Sequence, residues 1–271
     1  MIDPHSFREF EHTGWQSIPT RYHEAFGSLT TQAIGPLLDA VGTRGGVKLI
    51  DIASGPGYVA AAAARRGATV VGIDFSAAMV AEAQRRYPGV EFREGDAEEL
   101  PFGNGLFDAA VMNFGILHLA RPDHALVEAH RVLRSGGRFG FTVWAKPEET
   151  VGFGIILRAL EIYGELTVRL PEGPPFFRFS EPSECVRSLV VAGFESPKVS
   201  KIPQVWRLAS VDYLFEFMKE GTVRTAGLLR SQKPEALDQI RHSIREQLEA
   251  YQKADAVELP MPAILVTARK A

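Results

Sequence analysis

Cysteine is nearly absent: Cys185 is the single one in 271 residues. That excludes an intrachain disulfide and any metal site built from clustered thiolates, and no metal is expected. Charge of one sign is not in excess, since 30 Lys and Arg face 33 Asp and Glu for a net charge of −3. Such a chain has no basic footprint for a phosphate backbone, so nucleic acid is not an expected partner. Long hydrophobic runs are missing as well. Charges interrupt the apolar stretches within about ten residues, half of what a bilayer crossing needs, so no membrane span is expected. Residues Met1 to Trp15 lack the basic flank and apolar stretch of a secretory leader. No internal repeat or low-complexity tract is visible. The expectation is a cytoplasmic protein held by an ordinary core, and 45% hydrophobic residues suffice to build one.

What is present is regular from Val47 onward. Val47–Ala53 is a compact apolar run, the pattern of a strand buried on both faces. The turn Ser54-Gly55-Pro56-Gly57 leads into an alanine-rich helix, Tyr58 to Arg66, closed by Gly67. Ala68–Phe75 reads as a second buried strand, and Ser76 as the cap of a helix running through Met79 to Tyr87. Val90–Gly95 and Phe107–Asn113 are further strands. Pro122–Leu133 is a helix stopped by Gly136-Gly137, and Arg138–Trp144 is another strand. Strands and helices alternating at this spacing predict a doubly wound α/β unit with a parallel sheet.

The flanks are less regular. Leu29–Val41 reads as a helix, as do Phe153–Leu166 and Glu181–Ala192, with a Pro-rich loop at Pro171–Phe177. Lys198–Leu208 and Pro262–Arg269 read as strands, with two or three helices between them over residues 210–253. About fifty residues are too many for a hairpin loop, so 209–260 is expected to be an insertion over the carboxyl edge of the sheet.

The strand ends around the glycine loop carry the chemistry. Gly55-x-Gly57-x-x-Ala60 by itself satisfies the dinucleotide fingerprint, a short pattern of low specificity. Asp74 ends the next strand, about twenty residues on, where a carboxylate accepts the hydroxyls of a ribose. That suits NAD or any adenosine ligand. Asp51 separates the two. At the end of the first strand its charge repels a pyrophosphate and attracts an ammonium or a sulfonium, and S-adenosylmethionine (SAM) carries both. Asp96 follows the third strand and is placed to accept from an adenine amino group.

Asp51-x-x-x-Gly55-x-Gly57, Asp74, Gly95-Asp96-Ala97, Leu100-Pro101-Phe102 and Phe107–Asn113 occur in the order of the motifs of class I SAM-dependent methyltransferases. The chain resembles the small-molecule branch of that family, the type 11 domain that includes the UbiE-like enzymes. Arg131–Phe139 also resembles that branch, with Ser135 in place of its usual proline. The resemblance implies a Rossmann-like sheet of seven strands, order 3-2-1-4-5-7-6, the last antiparallel. It implies that Asp51 lies near the methionine ammonium and that Ala53, Ser54, Gly55 and Gly57 line methionine and ribose. Asp74 would hold the ribose hydroxyls, Phe75 and Met79 the adenine faces, and Asp96 with Ala97 the adenine edge. Asn113 would meet the methionyl end, and S-adenosylhomocysteine (SAH) would be the product. Extended over the chain, it implies a single domain, 1–271. The SAM-binding core would cover about 40–145 with 181–208 and 261–271, and cap elements about 1–30, 146–180 and 209–260.

SAM brings its own leaving group, so the protein must align an acceptor and exclude water, and a base is needed only for a protonated acceptor. His118, just past the fourth strand, is the candidate base. Trp15, Tyr22 and Phe26 suit one helical face and are expected to close over SAM, with His23 a possible lid member. Phe176, Phe177 and Phe179, and the group Trp206, Tyr213, Phe215, Phe217 and Met218, offer an apolar wall or core. Arg178 and Arg224 are candidates to meet an acidic acceptor. The expected reaction is methyl transfer to O, N or C of a small molecule by direct displacement, from a monomer or homodimer. Alternatives are a quinone or lipid methyltransferase, a SAM-binding regulatory protein without catalysis, and, more distantly, an NAD-dependent dehydrogenase.

Overall fold

The computed structural model describes residues 3–271; Met1 and Ile2, the start of the expected lid, lie outside the described residues. The chain opens with α1 (Pro4–Ser17) and α2 (Pro19–Thr30), each with proline in its first turn, where a missing N–H costs nothing. The helix expected over Leu29–Val41 is broken instead. A 3-10 turn, Thr31–Ala33, separates α2 from α3 (Ile34–Ala40). Pro36 in α3 has no N–H to bond back to Gln32, and Thr30 and Thr31 are poor helix interior residues.

The alternating core follows: β1 (Lys48–Ile52), α4 (Tyr58–Arg65), β2 (Thr69–Asp74), α5 (Ala77–Arg86), β3 (Glu91–Glu94), β4 (Phe107–Asn113), α6 (Pro122–Val132) and β5 (Leu133–Trp144). Ser76 caps α5, its hydroxyl accepting from the Met79 N–H at 3.2 Å. The stop expected at Gly136-Gly137 is not there, because β5 already begins at Leu133. Next come α7 (Val151–Tyr163), α8 (Pro182–Val191), β6 (Glu195–Ile202), β7 (Val205–Leu208), α9 (Asp212–Glu220), α10 (Arg224–Arg230), α11 (Pro234–Leu248), β8 (Gln252–Lys253), β9 (Ala256–Pro260) and β10 (Ala263–Arg269).

One sheet has the order β3-β2-β1-β4-β5-β10-β6. The neighbours from β3 to β5 pair in parallel, and β10 runs antiparallel to both β5 and β6. This is the expected seven-strand order with its last strand reversed. Leu49, Ile50 and Ile52 of β1 and Ala109 to Met112 of β4 are fully buried, as strands covered by helices on both faces must be.

Two readings of the second half are corrected. Lys198–Leu208 is two strands, split at Pro203-Gln204, since Pro203 has no ladder donor. β7 leaves for a three-stranded sheet, order β7-β9-β8. The segment expected to be wholly helical therefore contributes β8 and β9, with Val257 and Leu259 alternating into the core. No helix among the described residues is long and apolar enough to cross a membrane.

Candidate active site

The strand order reverses between β1 and β4, the place where open α/β sheets bind ligands beyond their carboxyl ends. Both strands are followed by a residue in the left-handed region, Ala53 at φ 54° and Phe114 at φ 55°. Neither is glycine, so each stores strain at the mouth of the crevice. The two loops touch: a Cβ on Gly115 would lie 2.6 Å from that of Ala53.

Above this point lies a cavity of about 1200 Å³, counting its open mouth. Its wall holds Trp15, Tyr22, Asp51, Ala53, Ser54, Gly55, Asp74, Phe75, Met79, Asp96, Ala97, Asn113 and His118. One expected member, Gly57, is not on the wall. It sits at φ 84°, and a Cβ there would lie 2.5 Å from the Phe92 ring. Its role is to turn the chain into α4 and to let Phe92 pack behind the loop.

Asp51 is buried, with Oδ2 accepting from the Ala60 N–H at 2.9 Å and Oδ1 unpartnered. Burial pushes its pKa up to about 8, against the Ala60 hydrogen bond, and the nearby Asp74 charge adds to the rise. Asp74 accepts from the N–H groups of Gly55 at 2.8 Å and Ser76 at 2.9 Å. Burial raises it to about 6 despite those two bonds. The buried Ser54 hydroxyl also lacks a partner. Polar atoms left bare inside a protein are costly unless something fills the place beside them. A ligand with an ammonium and a ribose supplies the missing donors, so these residues fit SAM.

Other expected residues are already engaged. Asp96 meets Arg8 of α1 at 2.8 Å and accepts from the Glu98 N–H at 2.8 Å. Asn113 donates to the Thr30 carbonyl at 3.2 Å and accepts from the Thr142 hydroxyl at 2.6 Å. Phe75 stands edge-on to His12, and the buried Met79 is both core and cavity wall. His23 bonds the hydroxyl of Tyr58, the first residue of α4, which lines the cavity. The arginines are not free for an acidic acceptor. Arg178 is taken by Asp123 and Glu184. Arg224 donates to Glu11 at 3.0 Å and to the carbonyls of Pro174 and Leu117. Trp206, Phe215 and Met218 are fully buried core.

Beyond Asn113 the wall turns apolar, with Phe114, Leu119, Trp144, Phe153 and Phe176, closed by Gly221 to Thr225 ahead of and into α10. Glu11 was not apparent from sequence. It lies buried on α1 and bonds Trp15, His118 and Arg224. Its partners on the other segments are 107 and 213 residues away, so no local pattern marks it.

The sheet order, the glycine loop and the acids at the strand ends are the features expected of a class I SAM-dependent methyltransferase domain. The family model described as "Methyltransferase domain" matches residues 50–141, and that stretch is such a domain. A demethylmenaquinone methyltransferase of Beutenbergia cavernae is 43% identical over 121 residues, which cover 43% of this chain and 50% of that one. A second from Streptomyces avermitilis is 37% identical over 126 residues, 45% of this chain and 54% of that one. The chain thus spans about half the length of the relatives it matches. Among solved structures, a phosphoethanolamine N-methyltransferase 2 of Haemonchus contortus in complex with SAM superposes with TM-score 0.60 at 21% identity. It covers 98% of this chain and 60% of that one. At that identity the likeness concerns the fold alone.

Proposed function

We propose that the protein transfers the methyl group of SAM to a small, uncharged, largely apolar acceptor. The observation that carries this is the pair of bare buried oxygens, Asp51 Oδ1 and Ser54 Oγ, on the wall that Asp74 shares. Asp51 would hold the methionine ammonium, and Asp74 the ribose hydroxyls through the lone pairs left by Gly55 and Ser76. Phe75 and Met79 would flank the adenine and Asp96 with Ala97 its edge, while Trp15 and Tyr22 close over the methionyl end. The charged side chains beside the glycine loop are the carboxylates Asp51 and Asp74, which disfavours the pyrophosphate of a dinucleotide.

When bound, SAM supplies a methyl carbon on a sulfonium, an electrophile that needs no metal or covalent enzyme intermediate. The chain's own work is alignment and exclusion of water. The aromatic wall of Phe114, Trp144, Phe153 and Phe176 excludes water and packs a flat acceptor. Among the described residues on that wall, Arg224 is the one arginine or lysine, and Glu11 neutralises it. A phosphate- or carboxylate-bearing acceptor would find no free cation. His118, on the cavity wall, is the candidate to take a proton at a ring nitrogen. A quinol is the second reading, favoured by the named relatives and by the same aromatic wall.

Calorimetric titration with SAM, SAH and NAD tests the reading. Micromolar binding of SAM and SAH without NAD is expected. Binding of neither sulfur ligand would overturn it and reopen the dehydrogenase reading. Transfer of isotopically labelled methyl to a panel of phenols, quinols and amines then identifies the acceptor; no transfer to any, with SAM bound, would favour a binding protein.

A further inference from the structure

His118 stands where three distant parts of the chain meet. A 3-10 turn, Ile116–His118, carries it beyond β4, and its ring lies edge-on to Trp15 with centroids 4.7 Å apart. Its Nδ1 is 3.1 Å from Glu11 Oε2. That carboxylate is completely buried. It also accepts from Trp15 Nε1 at 2.9 Å, and its other oxygen accepts from Arg224 Nε at 3.0 Å. The guanidinium is locked in turn by the Pro174 and Leu117 carbonyls, at 2.7 and 2.8 Å, and lies over the Phe7 ring.

A carboxylate facing a guanidinium and an indole N–H accepts and does not donate. The imidazole nitrogen opposite it must then be the donor. His118 therefore carries its hydrogen on Nδ1, and in the neutral ring Nε2 keeps a bare lone pair. Among the described residues none bonds Nε2, and the ring lines the cavity.

We propose that Glu11 is a positioning residue: it fixes His118 as the Nδ1–H tautomer, so that Nε2 takes a proton from an acceptor bearing a phenolic or enolic hydroxyl. The inference rests on the methyltransferase reading above and narrows its substrate class. The step balances. The acceptor's O–H bond breaks and its electron pair forms the bond to the methyl carbon. The C–S pair leaves with the sulfur of SAM, and the proton stays on His118 Nε2 until solvent removes it. Glu11 faces the imidazolium so formed. An acceptor that arrives without such a proton gains nothing from this arrangement. Because Glu11 sits on α1, the base is aligned only while that helix covers the cavity.

The test is long-range ¹H–¹⁵N NMR of the full chain, labelled at histidine and saturated with SAH, at a pH where the ring is neutral. His118→Gln assigns the signal. The expected wild-type signal is the Nδ1–H tautomer. In Glu11→Gln the amide NH₂ can donate to Nδ1, so the expected shift is toward Nε2–H, with SAH affinity changed by no more than a few-fold. A clamp that merely held the lid would leave the tautomer alone. Two results overturn the proposal: Nε2–H in the wild type, or the same tautomer with and without the Glu11 carboxylate. If Glu11→Gln does not fold, the wild-type spectrum and that of Glu11→Asp still decide it. If the wild type binds no SAH, the methyltransferase reading fails instead, and the spectrum of the unliganded chain judges Glu11 separately.

Discussion

The two walls of the cavity are built by opposite means. The Asp51 and Asp74 wall comes from residues close in sequence, and its carboxylates are held by backbone N–H groups of Ala60, Gly55 and Ser76. The lid wall is held by side chains from distant segments. Arg8 meets Asp96, Gln16 bonds the Ser76 hydroxyl and the Ala78 N–H, and Glu11 joins His118 to Arg224. Backbone donors in a sheet-anchored loop cannot leave without unfolding it. Side-chain latches can open singly. The first wall is thus suited to constant recognition of a cofactor, the second to opening and closing.

The sharpest way to break this contrast is at the glycine loop. Gly57→Val forces a β-branched residue to φ 84° and drives its Cβ into Phe92. A stability loss of about 3 kcal/mol or more is expected in denaturant unfolding. A variant as stable as the parent would show that the loop is not rigid.

Asp51→Asn is next. SAH affinity should fall about 10- to 100-fold, the range for a hydrogen bond to a charged group. The variant should nevertheless melt higher at pH 8. With the folded pKa raised to about 8 from a reference of 3.8, Asp51's contribution to stability is full below the reference value. It is lost as pH rises toward 8. Binding of an ammonium favours the ionised form, so SAH should bind more tightly as pH rises from about 6.5 to 8, with proton release. Calorimetry in buffers of different ionisation enthalpy measures that proton. The pH dependence should flatten in Asp51→Asn; an unchanged slope would assign the proton elsewhere.

Smaller effects are expected on the lid. Gln16→Ala removes two bonds to the start of α5 and should cost about 1–2 kcal/mol. Amide exchange should quicken in α1 and stay slow in β1 and β4; equal quickening in both would erase the distinction between the walls. Arg8→Ala should be the mildest. Its pair with Asp96 is part-exposed, with side-chain accessibilities of 45% and 25%, and is worth about 0–1 kcal/mol. Stability should hold while SAH dissociates a few-fold faster in stopped flow. A slower release would mean that the pair does not help close the lid.

The same contrast explains what the sequence disclosed. The glycine loop and the carboxylates at 51, 74 and 96 are legible because each lies at a strand end read within a few residues, whereas the strand order came from the family resemblance. Gly57 was misplaced because a glycine pattern does not say which glycine faces a ligand and which faces Phe92. The extra sheet of β7, β8 and β9 was missed because two of its strands are short and its pairing joins Val205–Leu208 to Ala256–Pro260 across three helices. Arg224 looked available for an acceptor, because its hydrogen-bonding partners are scattered over Glu11, Leu117 and Pro174.

The place of β10 bears on how the chain is made. Residues 263–269 lie between β5 and β6, and β6 reaches the main sheet through them. A ribosome delivers β5 and β6 long before the strand that joins them. Until residue 269 has cleared the exit tunnel, the growing chain holds β5 with one edge open, and β6 with α8 has no seat in the sheet. The parallel half, with its glycine loop, can assemble before β10 is made; the β6 edge waits for β10. A chain cut before residue 263, and so lacking β10, should therefore be recovered as a parallel core with a protease-sensitive second half.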